Sequence, residues 1–85
     1  MTSHAELYNR YCDLSNRFRE NFNTSTSDAD RERWMAHMKS LSKLEDKFFQ
    51  LRVARELTED KKIKRLMAVI KVSLDDFALV NQTIQ

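Results

Sequence analysis

Large apolar residues fall at Trp34, Met38, Leu41, Leu44, Phe48 and Leu51, in steps of four, three, three, four and three. That is one face of an α-helix, and a period of two explains almost none of it. This is the longest and bulkiest apolar stripe in the chain, so the other segments are expected to fold onto it. Upstream, Leu7, Tyr11, Leu14, Phe18 and Phe22 mark a second helical face, with Tyr8 at its flank. Downstream, Ile63, Leu66, Ile70, Leu74 and Phe77 mark a third, with Met67 beside it.

The polar residues between these stripes give the boundaries. Ser3-His4-Ala5-Glu6 reads as a capping box, in which the Ser3 hydroxyl accepts from an amide three residues on. Thr24-Ser25-Thr26-Ser27 is the clearest break, because hydroxyl side chains compete for backbone hydrogen bonds. Ser27 is then an N-cap, with Asp28 and Asp30 placing negative charge where the helix dipole favours it. The asparagines Asn21 and Asn23 predict fraying at the end of the first helix. A short turn is expected near Glu56 to Glu59, with Leu57-Thr58-Glu59-Asp60 offering Thr58 as N-cap of the last helix. The alternative is one continuous helix, since no glycine is present to end the middle one with a left-handed cap. The expectation is a single small all-α domain over residues 1–85, with helices at about 4–22, 28–56 and 60–82 and a linker at 23–27. It would be a three-helix antiparallel bundle or an extended helical hairpin, with oligomerisation open.

Composition sharpens this picture. The chain has neither glycine nor proline, on which hairpin-rich sheets depend, so an all-α fold is predicted. Glycine-rich phosphate loops and dinucleotide fingerprints are excluded for the same reason. Apolar runs are too short to span a bilayer, and Met1 is followed by polar residues, so neither a membrane span nor a secretory leader is expected. Cys12 is the single cysteine, which forbids an internal disulfide and points to a reducing, cytoplasmic setting.

No constellation of catalytic residues emerges. His4 and His37 are the only histidines, and neither has a ligand partner within a turn, so no metal and no other cofactor is expected. His37 reads as a half-buried helix residue and Cys12 as a small apolar one. Asp75-Asp76 and Glu59-Asp60 are helix neighbours whose carboxylates splay by about 100°. The chain is expected not to be an enzyme, and no small-molecule substrate is evident.

Two features point to partners instead. The last helix carries a second apolar line at Val69, Val72, Leu79 and Val80, so it is apolar over most of its circumference and expected to be covered on more than one side. Met35, Phe49 and Met67 lie beside the main stripes and would widen that apolar surface. These seven residues are the candidate contacts to a protein partner or a second copy, as in an adaptor or chaperone-type subunit. Charge gives the rival reading. Residues 1–30 hold three basic and five acidic side chains, 31–65 eleven and six, and 66–85 one and two. Within the basic centre, Lys61, Lys62, Lys64 and Arg65 would be the nucleic-acid contacts of a small regulator. Against it, acids are interspersed and no aromatic interleaves with the cluster to stack bases. A small protein inhibitor of another enzyme fits the same helical surface.

Asp28-Ala29, then Trp34, then Lys43-Leu44-Glu45 resembles the second-helix pattern of the small helical co-chaperones of type III secretion needle subunits. The likeness covers less than a quarter of the chain. It implies a short helical hairpin that, with a partner, holds another subunit soluble in the bacterial cytoplasm.

Overall fold

The capping serines set where the helices begin. Ser3 Oγ accepts from the Glu6 amide at 3.1 Å and Ser27 Oγ from the Asp30 amide at 3.1 Å. The computed structural model describes residues 3–83, with side chains as far as Val80. Those residues form α1 (His4–Thr24), α2 (Asp28–Ser42), α3 (Leu44–Glu56) and α4 (Asp60–Thr83), and no strand occurs among them.

Three boundaries differ from the sequence expectation, each for a local reason. α1 extends past Asn21–Asn23 and ends at Thr24. Thr24 Oγ1 donates to the Glu20 carbonyl at 3.0 Å and Ser25 Oγ to the Asn21 carbonyl at 2.6 Å. The hydroxyls that break the chain thus also satisfy the last carbonyls of the helix. The middle helix is interrupted at Lys43. That residue keeps a right-handed conformation (φ −64°, ψ −21°), but its amide bonds to the Ser40 carbonyl, three residues back, at 3.3 Å. Ser42 Oγ donates to the Lys39 carbonyl at 2.7 Å, the back-bonding by which serine disturbs a helical ladder.

The third difference lies between α3 and α4. Thr58 is not an N-cap; it sits in the left-handed region with φ 52°. The Thr58 amide bonds to the Arg55 carbonyl at 3.2 Å and the Glu59 amide to the Ala54 carbonyl at 2.9 Å. Those two bonds define a Schellman ending, with threonine in the position glycine usually takes. Absence of glycine therefore did not prevent a left-handed cap.

Packing follows the stripes. α1 runs opposite to α2 and α3: Phe18 stacks on Trp34 with ring centres 5.5 Å apart, and His4 meets Phe48 at 5.9 Å. α4 returns along α3 and also packs on α1, where Phe77 reaches Phe18. α2 and α3 follow each other end to end and scarcely touch. The result is an up-down-up helical bundle, 47 × 21 × 15 Å. Its core includes Leu7, Phe18, Leu51, Ile70 and Leu74, each with no solvent exposure. Fully burying such a side chain contributes about 1.5–3 kcal/mol, so these few residues carry much of the stability of so small a domain.

Candidate functional site

Apolar periodicity gives α4 a core face of Leu66, Ile70 and Leu74, with Ile63 and Phe77 half-buried beside it. At 100° per residue, Lys61, Arg65, Val69, Val72, Asp76 and Leu79 fall within an arc of about 80° on the far side. All six are exposed. Val69 is 44%, Val72 59% and Leu79 58% exposed, so the core is completed without them. The stripe has cations at its N-terminal end, valines in the middle, and Asp76 followed by Leu79 at the other end.

Charges around this stripe are unequally used. Arg10 Nη2 on α1 donates to Asp75 Oδ1 at 2.6 Å, and Lys71 Nζ reaches the other oxygen at 3.3 Å. Those two hydrogen bonds hold the Asp75 carboxyl below the usual carboxylate range. Arg65 and Asp76 form no ion pair among the described residues.

The remaining sequence candidates do not join this stripe. Met67 is half-buried against the core and Val80 is half-buried. Met35 is exposed on α2, lining a shallow depression with Phe22, Arg31, Glu32 and Lys39. Phe49, 56% exposed on α3, belongs to a third place. There, with His4, Tyr8, Glu45, Phe48 and Arg52, it lines an open groove of about 550 Å3. The Arg52 guanidinium lies 5.5 Å above the Phe49 ring, and Tyr8 meets Phe48 edge-on at 5.3 Å. Tyr11 Oη donates to Glu45 Oε1 at 2.9 Å. Burial, and then that bond, push the Tyr11 hydroxyl well above its ordinary range. His4 is pulled below its ordinary value by burial and by the Arg55 and Arg52 charges.

Lys61, Lys62, Lys64 and Arg65 are all exposed on the first turns of α4. They spread over about 160° of its circumference rather than sharing one line. Lys62 also pairs with Glu59 at 3.8 Å. Among the described residues no three of His, Cys, Asp and Glu gather to hold a metal ion, and no helix is long and apolar enough to cross a membrane.

Two features escaped the sequence reading. Exposure of Tyr8 beside Phe49 depends on where α1 lies on α3, which periodicity does not state. The Arg65–Asp76 relation was legible: eleven residues make three helical turns, so opposite charges at that spacing flank the valines on one line. No family model, no curated protein and no solved structure matches the chain, so the resemblance over residues 28–45 gains no relative through which to extend it.

Proposed function

We propose that the chain is a non-enzymatic helical interaction module, an adaptor or chaperone-type subunit whose outer α4 face covers an apolar helix of another chain or of a second copy. The observation that carries this reading is the exposure of Val69, Val72 and Leu79 on a face turned away from a closed core. Removing such a patch from water is favourable in proportion to its area, and apolar patches rimmed by charge mark interaction sites. The half-buried free thiol of Cys12 supports a cytoplasmic setting. The nucleic-acid reading has less support, because its cations are spread around the helix and one is paired with Glu59.

The test is Val72→Asp combined with Leu79→Asp. Both positions are exposed, so helicity by circular dichroism should be retained. Chemical cross-linking in the source cells, followed by mass spectrometry, should show adducts for the natural chain that the double variant loses. Identical adducts from the two chains would dispose of the proposal.

A further inference from the structure

The outer face of α4 has a polarity that selects its occupant. Its N-terminal end carries Lys61 and Arg65 and its C-terminal half Asp76, with Lys62, Lys64 and Asp75 flanking the arc. Two copies of this helix laid side by side in the same direction would oppose like charges. Laid in opposite directions about a two-fold axis, they oppose the basic half of each to the acidic half of the other. With the axis between Ile70 and Lys71, Val69 faces Val72 of the second copy. Arg65 then faces Asp76 of the second copy, and symmetry repeats both contacts. Leu79 falls on the aliphatic stems of Lys62 and Arg65 of the second copy, where long cationic side chains cover apolar surface while their heads stay in water.

Resting on the reading of this face as an interaction surface, we infer that its occupant is a second copy of the chain, bound through antiparallel α4 helices with Arg65 paired to Asp76 across the two-fold axis. The two residues are exposed and form no ion pair among the described residues of one chain, so neither gives up an internal partner to make the pair. Asp75, already bound by Arg10 and Lys71, is held at the rim. A self-complementary patch of this kind closes as a two-fold dimer and does not propagate into a filament. Its area is set by one helix of about 36 Å, below a standard interface of roughly 800 Å2 per partner, so the dimer is a weak and reversible one.

Analytical ultracentrifugation over a concentration series tests this with Arg65→Glu, Asp76→Arg and the two combined. The natural chain should rise from 10.1 kDa towards twice that mass as concentration increases. Each single variant turns both symmetric pairs repulsive and should weaken dimerisation about tenfold, more at low salt than at high. The combined variant restores opposite charges only in the antiparallel arrangement, and should return to within about threefold of the natural chain. A natural chain that stays monomeric throughout overturns the inference, as do single variants that dimerise normally or a combined variant no better than either one. If the inference falls while Val72→Asp with Leu79→Asp still loses its cross-linked adducts, the face is an interaction surface for a different chain. If those adducts also persist, both readings fall.

Discussion

Replacing Thr58 by glycine should stabilise the protein. Thr58 occupies the left-handed region at φ 52°, where an L-residue brings its Cβ against the following carbonyl at a cost of about 1–2 kcal/mol. Glycine removes that contact but gains freedom in the unfolded chain, which takes back about 0.5–1 kcal/mol. The hydrogen bond from Thr58 Oγ1 to the Leu57 carbonyl, 2.7 Å long, is exposed and its loss is largely compensated by water. The net expectation is a gain of about 0.5–1 kcal/mol, or roughly 2–8 °C in Tm for a domain of this size. Urea unfolding followed by circular dichroism and by Trp34 fluorescence is the assay. Trp34 is the only tryptophan and is 5% exposed, so it reports the core. The midpoint should rise with the slope unchanged, which separates a native-state gain from a change in compactness. Thr58→Asn should fall between threonine and glycine, because asparagine tolerates the left-handed region, and Thr58→Val should lie below the natural chain. A glycine variant no more stable than the natural chain, or less stable than Thr58→Val, would refute the Schellman account of this turn.

Two further outcomes bear on the fold. Leu51 is fully buried, so Leu51→Ala should cost about 2–5 kcal/mol and lower the urea midpoint by an amount that exposed substitutions do not match. The histidine effect is smaller and has a definite sign. Because His4 is held below 6.5 in the folded state, the unfolded chain binds the proton more readily, and stability should fall as pH drops from about 6.5 to the folded value. Below that value this contribution is flat, and His4→Gln should remove it; an unchanged pH slope in that variant would show that His4 is not its source.

The all-α fold class and the core were legible because a single period governs them. Leu7, Tyr11, Leu14 and Phe18 are buried on α1, and Leu66, Ile70 and Leu74 on α4, as their spacing indicates. What spacing does not carry is backbone chemistry at single residues. Ser42 reads as an ordinary polar position, yet its hydroxyl takes the Lys39 carbonyl where the middle helix breaks. Thr58 looks like an N-cap because its hydroxyl suits one; the amide bonds to Arg55 and Ala54 that make it a C-terminal cap depend on how α4 folds back. The candidate surface was legible in part for the same reason. Val69, Val72 and Leu79 share a line by arithmetic, whereas Met67 lies on the near side of α4, half-buried against the core.

The break at Lys43 divides the molecule differently from its outline. On one side stands an α1–α2 hairpin and on the other an α3–α4 hairpin, each closed by a short turn and contiguous in the chain. Each contributes part of the core, Leu7, Leu14, Phe18, Trp34 and Leu41 from the first and Phe48, Leu51, Ile70 and Leu74 from the second. Most ordering can therefore begin between sequence neighbours, with the docking of α1 on α4 left to join the halves, a topology that favours fast folding. It also makes Lys43 the natural point of scission: two fragments cut there would each keep a whole hairpin and a bare apolar flank, and each would be the other's missing half.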